Sequence, residues 1–362
     1  MDDLLLVDGH NDLPWALWQL SGGDPAAEPD LTGGEPRLHT DLPRLRAGRL
    51  GAQFWSVYVP GSYTGDAAVV ATLDQIDRVR RLAARYPDAL ALAGSADDAE
   101  RIAASGRVAS LMGAEGGHSI GDSLAVLRTF RELGVRYLTL THNLNNEWAD
   151  SATDEPVHGG LSPFGREVVA EMNRIGMIVD LSHVAETTMR AALDVTTAPV
   201  LFTHSGARAV TDHPRNVPDA VLERLRGNGG VCMAPFVPRF VSAAVTAWDD
   251  RLHAAMDDAG LDHRDLDARN AFADTWDGPP VPRAGIDDVV AHLEHLREVA
   301  GIDHIGIGGD YDGTADLPDG LGDVSCYPAL FDALAARGWS RADLAKVAGS
   351  NALRVLRAAD AA

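Results

Sequence analysis

The chain has 362 residues, of which 46% are hydrophobic, as in an ordinary globular protein, and this length allows one large α/β domain or two smaller ones. Its 53 acidic residues outnumber 31 basic ones and give a net charge of −22, which repels phosphate backbones, so we expect no nucleic-acid partner. Its apolar runs are far shorter than the ~20 residues that cross a bilayer, so we expect no membrane partner.

The amino terminus and the cysteine content indicate in which cellular compartment the protein is located. Asp2 and Asp3 stand where the basic region of a signal peptide would be. Cys232 and Cys326 are too few for a disulfide framework, and Cys232 lies in an apolar run that is typical of a buried thiol. We therefore expect a cytoplasmic location.

Eight short apolar runs alternate with amphipathic segments along the chain. The predicted strands are 4–7, 52–59, 108–114, 137–141, 177–181, 199–203, 230–236 and 304–308. Helices are predicted at 67–86, 123–133, 163–175, 185–193, 219–226 and 287–299, and two more, 327–336 and 341–358, close the chain. The alternation predicts a single (β/α)8 TIM barrel domain over residues 1–362, with an insertion around 240–285. An open doubly wound sheet is the alternative, although no glycine-rich phosphate loop follows the first strand.

Polar side chains that can bind metals end most of the predicted strands. They are His10 and Asp12, Glu115, His142, His183, His204 and Asp310, after the first, third, fourth, fifth, sixth and eighth strands. Residues two apart on an extended backbone point the same way, so His10 and Asp12 can reach one point. Each group alone is more often a hydrogen-bonded loop residue. Seven of them at one barrel mouth need partners or metals, because desolvated charges are costly.

This set is large enough for two divalent ions. His183 and His204 can hold one ion, and His10 with Asp12 the other. A bridging anion must then keep the ions about 3.5–4 Å apart. Many two-metal barrels use a carbamylated lysine, but the only lysine here, Lys346, lies in the last helix. Glu115 is the remaining anion of the right type at a strand end, and we assign it the bridge.

Seven segments resemble, in order, those of a known family. They read DGHNDLP, GAEGGHSI, LTHNLNN, DLSHV, FTHSGAR, HPRNVPD and GIGGDYDG. They resemble segments of the membrane (renal) dipeptidase family of zinc metallopeptidases, and the tail GWSRADLAKVAGSNALRVLR is similar too, so the resemblance runs from about residue 10 to 357. It implies a dinuclear zinc barrel of amidohydrolase-like type, with the five ligands named above and Glu115 across both ions. It also implies that His142 and Arg215 bind the substrate and that Asp310 is the acid/base.

The resemblance implies hydrolysis of dipeptides by a hydroxide that bridges the two zinc ions. His142 would stabilise the oxyanion, Asp310 would move the proton, and Arg215 would bind the substrate carboxylate through its planar fork. The family's range includes dipeptides with a C-terminal D-residue, and the sequence leaves this point open. Animal members have a secretory signal and a lipid anchor, neither of which we find here. Some members place a tyrosine after the seventh strand, near where this chain has Val237, so the preferred substrate is less defined than the chemistry.

Three other functions stay open at this point. A metal-dependent deaminase or lactonase on the same barrel would reuse the ligands without needing Arg215. A barrel nuclease would be expected to show His-x-His in place of His10-x-Asp12, and a less acidic surface. A catalytically inactive binding homologue would most simply have lost ligands. The oligomeric state is also open, with a homodimer among the alternatives.

Overall fold

The computed structural model describes residues 4–361, apart from the side chains of residues 266 and 267. Asp2 and Asp3, which entered the expectation about a signal peptide, lie outside the described residues. Nine strands occur within this range. They are β1 Leu6–Asn11, β2 Leu50–Tyr58, β3 Leu90–Leu92, β4 Val108–Glu115, β5 Val135–Thr139, β6 Ile178–Asp180, β7 Leu201–Phe202, β8 Val231–Ala234 and β9 Ile305–Ile307.

Eight of these strands close into a parallel barrel. The order around the barrel is β2-β1-β9-β8-β7-β6-β5-β4, and pairing between β2 and β4 closes it. The short strand β3 pairs with residues 108–110 at the start of β4. On the same edge of β4, β5 pairs with residues 112–115. The (β/α)8 barrel predicted from the alternation is therefore confirmed, and the open doubly wound alternative is wrong.

Helices surround the barrel and cover the apolar outer faces of its strands. Their bounds are α1 Leu13–Ser21, α2 Leu42–Ala47, α3 Gly65–Arg85, α4 Ala96–Ala104, α5 Leu124–Glu132, α6 Pro163–Arg174, α7 Glu186–Val195, α8 Asp219–Asn228, α9 Pro238–Val241, α10 Ala243–Asp258, α11 Leu266–Ala273, α12 Ile286–Val299, α13 Tyr327–Ala336, α14 Arg341–Ala345 and α15 Asn351–Asp360. A π-helical turn, Lys346–Ser350, joins the last two. Within the described residues, no helix has both the length and the apolar character that crossing a membrane requires.

Local signals placed several helices correctly. Ser162 caps α6, since its side chain accepts a hydrogen bond from the Gly165 amide, and Pro163 occupies the first turn where no amide hydrogen is needed. The predicted bounds of α5, α6, α12 and α13 agree with the structure to within two residues. Cys232 is a buried free thiol, as predicted.

The first strand extends further than its apolar run. We predicted residues 4–7, whereas β1 is Leu6–Asn11 and includes His10. The reason is Asp8, whose buried carboxylate accepts hydrogen bonds from the His10 amide (2.8 Å), Gln53 Nε2 (2.9 Å), the Gly309 amide (2.8 Å) and Tyr327 Oη (2.6 Å). These hydrogen bonds stabilise the Asp8 carboxylate, whose burial within a strand would otherwise be unfavourable. They hold His10 at the mouth of the barrel.

Several elements were not predicted, among them β3, α4, α1 and α2. Strand β3 has only three residues, too few for a period-two pattern, and the alanine-rich α4 that follows it contains few large apolar residues. Helix α1 begins directly after the segment that carries His10 and Asp12, where we predicted no helix. The predicted insertion around residues 240–285 consists mainly of α10 and α11 and the segment after them.

Candidate metal-binding active site

The predicted site residues lie together at the carboxyl ends of the barrel strands. A cleft of 640 Å³ opens there, and its wall includes Asp12, Glu115, His142, His183, Arg215 and Asp310. His10 and His204 lie deeper, with 0% and 1% of their surface exposed. The structure thus brings together all eight residues from seven separate stretches of sequence.

Glu115, the last residue of β4, lies at the centre of the cluster. Its Oε2 is 3.3 Å from His10 Nε2. Its Oε1 is 3.0 Å from His183 Nε2 and 3.5 Å from His204 Nε2. The two oxygens of one carboxylate therefore face two different histidine groups, which is the arrangement expected of a carboxylate between two cations.

The second group of ligand atoms surrounds His10 Nε2. Asp12 Oδ2 lies 3.3 Å from it and Asp310 Oδ1 lies 4.0 Å from it. His10 Nε2 and Asp12 Oδ1 are buried and have no hydrogen-bond partner among the described residues. Because buried polar atoms normally have partners, these two atoms fit a metal ion. Within the described residues, three groups of atoms are close enough to hold an ion: His10 with Asp12 and Asp310, His10 with Glu115 and His204, and Glu115 with His142 and His183.

Neighbouring hydroxyl groups set the orientation of two of the histidines. His10 Nδ1 lies 3.0 Å from Tyr137 Oη, which also contacts the Gly9 carbonyl oxygen at 3.3 Å. His204 Nδ1 lies 2.9 Å from Thr203 Oγ1, which donates to Asp180 at 2.8 Å. If each Nδ1–H donates to the hydroxyl, the Nε2 lone pair of each ring is free for a cation.

The pKa shifts of His183, His204 and Glu115 are consistent with ligand roles. Burial lowers the pKa of His183 and His204 well below the ordinary value, so both rings are neutral at pH 7, as a metal ligand must be. Burial alone would raise the pKa of Glu115, but the charge of His10 and the contact with His183 lower it well below its usual range. Burial alone would also lower the pKa of His10, but Glu115, Tyr137 and Asp12 raise it well above its ordinary value. The pocket thus favours positive charge between Glu115 and Asp12.

Two of these side chains are carried by an unusual backbone conformation. His183 and Asp310 have φ values of +67° and +60°, in the left-handed region that non-glycine residues rarely adopt. Such strain is found most often at functional sites, where it aims a side chain. Gly313 lets the next loop approach, because a Cβ there would lie 2.2 Å from Asp12 Oδ2 and 2.6 Å from Asp310 Oδ1.

His142 and Arg215 lie beside these candidate ligands in the wall of the cleft. The His142 ring lies 4.3 Å from the His183 ring and 4.8 Å from the Tyr58 ring, measured between centroids. Arg215 is 2% exposed, and its guanidinium makes one long hydrogen bond, 3.4 Å from Nη1 to Ser205 Oγ. Its Nε and Nη2 are buried and have no partner among the described residues. A buried guanidinium beside a cleft, with two free donors, fits an anionic ligand.

Comparison with known proteins agrees with this geometry. The family model described as "Membrane dipeptidase (Peptidase family M19)" matches residues 1–362. The chain belongs to the membrane dipeptidase family. It is therefore an enzyme of the dipeptidase class, a hydrolase, in a family of metallopeptidases.

Three relatives illustrate the match. Dipeptidase tcpJ of Claviceps purpurea is 43% identical over 97% of this chain and 76% of its own length. The crystal structure of the probable dipeptidase PvdM from Pseudomonas aeruginosa superposes with a TM-score of 0.85 at 26% identity, covering 99% of this chain and 96% of that one. The metallo peptidase from Rhodobacter sphaeroides, solved with a phosphinate mimic of the dipeptide L-Ala-D-Ala, superposes with a TM-score of 0.82 at 25% identity, covering 98% and 99%.

Several residues of this dipeptidase-family cleft were not found by sequence reasoning. The hydroxyls of Tyr137 and Thr203 lie within or beside strands, where their residue types are ordinary. Arg239 and Phe240 line the cleft at the start of the insertion, whereas Val237, which we had marked for comparison with the family, is fully buried and is not part of the cleft wall. No one-dimensional pattern distinguishes these positions, since their roles come from the direction of the side chain.

Replacing Tyr137 with phenylalanine is expected to weaken metal binding by about 10–100-fold, the usual effect of losing a hydrogen bond to a ligating histidine. The reason is that His10 Nδ1 would lose its partner 3.0 Å away, and with it the fixed ring orientation. Zinc affinity, measured by competition with a chelator, tests this prediction. Tyr311→Phe is the matched control, because that buried hydroxyl bonds the Leu321 carbonyl and no histidine ligand. Equal zinc affinity in wild type and Tyr137→Phe would contradict the role of Tyr137 in positioning His10.

Proposed function

We propose that the protein is a dinuclear zinc dipeptidase that hydrolyses the amide bond of dipeptides, including those with a C-terminal D-residue. The observation that carries the proposal is the buried, incompletely paired Arg215 in the same cleft as the ligand cluster around Glu115. The cluster supports metal-assisted hydrolysis. Arg215 supports a substrate with a free carboxylate, which deaminases and lactonases on this barrel do not need.

The ligand set fits two zinc ions. Imidazole nitrogens and carboxylate oxygens are zinc's usual ligands apart from thiolates. His10 and Asp12 would hold one ion, His183 and His204 the other, and Glu115 would bind both through its two oxygens. When bound, such ions lower the pKa of water so that a nucleophile is available near neutral pH, and they polarise the carbonyl under attack.

Asp310 is proposed to move the proton. It lies at the cleft wall, with Oδ1 4.0 Å from His10 Nε2. Burial, and then the negative charge of Asp12, raise the pKa of its carboxyl group well above the ordinary value. A carboxyl group whose pKa is raised in this way can take a proton from water and return it to the leaving amine.

His142 is proposed to donate a hydrogen bond to the oxygen of the carbonyl as negative charge develops there. Burial is the main cause that lowers its pKa to about 4, and Arg215 contributes in the same direction. The ring is consequently neutral at pH 7 and keeps one N–H. A neutral donor that is already in place stabilises an oxyanion without costly reorganisation.

Arg215 is proposed to bind the substrate's C-terminal carboxylate. Burial lowers its pKa to about 10, which still leaves the guanidinium charged at neutral pH. A carboxylate held one residue from the scissile bond would restrict the enzyme to dipeptides. Cleavage of substrates with a D-residue is supported by the Rhodobacter sphaeroides peptidase, whose bound ligand mimics L-Ala-D-Ala. A cytoplasmic location and assembly as a homodimer also stay predictions.

The dipeptide amide is expected to be hydrolysed about 10–150-fold less efficiently than the free dipeptide, judged by kcat/KM on zinc-loaded protein. A buried guanidinium that faces a neutral amide loses a charge-assisted pair worth about 1.5–3 kcal/mol. Arg215→Met should lower activity on the free dipeptide and nearly abolish this discrimination. A matched control is Arg208→Met, because Arg208 lies on the same stretch but pairs with Glu186.

Two outcomes would contradict the assignment of Arg215. If wild type hydrolyses amides or tripeptides as fast as dipeptides, the carboxylate is not bound and the enzyme is a broader amidohydrolase. A discrimination that fades with added salt would instead indicate an arginine that only attracts anions from a distance.

A further inference from the structure

A second arginine faces the same cleft. Arg239 belongs to the short helix α9 and lines the cleft together with Arg215 and Phe240. Both guanidinium groups lie over the Phe240 ring, with carbon-to-centroid distances of 5.0 Å for Arg215 and 4.9 Å for Arg239. The two cations are therefore at most about 10 Å apart and share one aromatic side chain.

Arg239 has no anionic partner within the part of the chain that the structure describes. No carboxylate oxygen there forms an ion pair with its guanidinium, although the residue is half-buried. The acidic group that acts on it most strongly, Asp249, already pairs with Arg269 and lies 3.4 Å from His253. A partly desolvated cation is costly without a counter-ion, and an anion bound in the cleft would offset this cost.

We propose that Arg239 forms a second carboxylate subsite, and that the enzyme prefers dipeptides whose C-terminal residue is aspartate or glutamate. This inference rests on the proposed function, since Arg215 must hold the α-carboxylate for Arg239 to reach the side chain of the same residue. The two carboxyl carbons of aspartate are separated by two carbon atoms and those of glutamate by three. The two guanidinium groups, at most about 10 Å apart, are close enough for the two carboxylates of one residue to reach both.

The overall charge of the chain makes a local cation pair necessary for such substrates. A protein with a net charge of −22 repels an acidic dipeptide at long range. The cleft itself carries Asp12, Glu115 and Asp310. Arg264, a third arginine on the cleft wall, is neutralised by Asp154 and Asp262. Among these cleft arginines, Arg215 and Arg239 are the two that have no carboxylate of the described residues within ion-pair distance.

The test compares isosteric acid and amide substrates on zinc-loaded protein. We would measure kcat/KM for Ala-Asp against Ala-Asn and for Ala-Glu against Ala-Gln, with the C-terminal residue in both L and D forms, and for Ala-Ala. Wild type should prefer at least one acid over its amide by about 10-fold or more, mainly through a lower KM. Arg239→Gln should bring that ratio to within about 2-fold of one, and Arg239→Lys should retain part of the preference. Arg264→Gln is the matched control and should leave the ratio unchanged, since its charge is already paired.

The results distinguish a failure of the proposed dipeptidase function from a failure of the proposed Arg239 subsite. If no dipeptide is cleaved, the proposed function itself fails. If Ala-Ala is cleaved but neither acid is preferred over its amide in either form, the dipeptidase assignment survives and the subsite is wrong. If Arg239→Gln lowers activity on Ala-Asp, Ala-Asn and Ala-Ala by the same factor, Arg239 only supports the structure and the subsite is again wrong. Should Arg239→Gln fail to fold, the wild-type ratios and Arg239→Lys still decide.

Discussion

Replacing Glu115 with alanine is expected to remove both zinc ions together and to lower kcat/KM by more than about 10⁴-fold, a larger effect than losing an acid/base alone. The reason is that its two oxygens face different histidines, His10 on one side and His183 with His204 on the other. Without this anion, two cations would stand side by side with no negative charge between them. Elemental analysis of dialysed protein, together with dipeptide turnover, measures both effects.

The control for this experiment is Ser56→Ala. Ser56 Oγ donates a 2.9 Å hydrogen bond to Glu115 Oε2 but is not itself a proposed ligand, so this variant should keep both ions. Circular dichroism would verify that both variants retain the barrel. If Glu115→Ala keeps two tightly held zinc ions, the carboxylate does not bridge and the ions are held by the other four ligands.

Asp310→Asn is expected to keep most of its zinc and to lose turnover by about 10²–10⁴-fold, the usual contribution of a general acid/base. The substitution removes the titrating oxygen at nearly constant volume. It also suits the backbone, because asparagine is among the few residues that tolerate the φ of +60° found here. Metal content and kcat would be measured on the same preparation.

Asp312→Asn provides a close comparison. Asp312 also has a positive φ, +65°, and burial raises its pKa to about 7, but its carboxylate accepts a hydrogen bond from the His39 amide at 2.6 Å and is not among the proposed groups. We expect a loss below about 10-fold for this variant, less than a general acid/base contributes. Loss of both zinc ions in Asp310→Asn would show instead that Asp310 is mainly a ligand, and similar losses in the two variants would end its proton-transfer role.

The order of apolar runs along the chain was sufficient to predict the barrel and the position of its site. Parallel strands joined by helices bring all their carboxyl ends to one rim, so His10, Glu115, His183 and His204 had to converge there once the strands were recognised. The prediction needed only which residue types end which strands. It did not depend on correct boundaries, and β7, which we predicted with five residues, has two.

The contacts that orient the candidate ligand side chains depended on packing between the strands. Tyr137, Thr203 and Asp180 reach the histidines because the strands pair in a particular register, and their residue types are common inside any barrel. The close approach of β9 to the loop that carries His204 depends on Gly308, where a Cβ would lie 1.7 Å from the Thr203 carbonyl oxygen. A sequence pattern records periodicity along one element and does not contain these contacts between elements.

The amino-acid sequence by itself therefore determined the barrel, the candidate metal-binding residues and the family, because these follow from local periodicity and from short motifs. Only the tertiary structure decided that the two oxygens of Glu115 face different histidines, that two donor atoms of Arg215 have no partner among residues 4–361 as described, and that Arg239 shares the Phe240 ring with it. These features depend on side-chain direction and desolvation. Both arise when residues far apart in the chain exclude water from the same space.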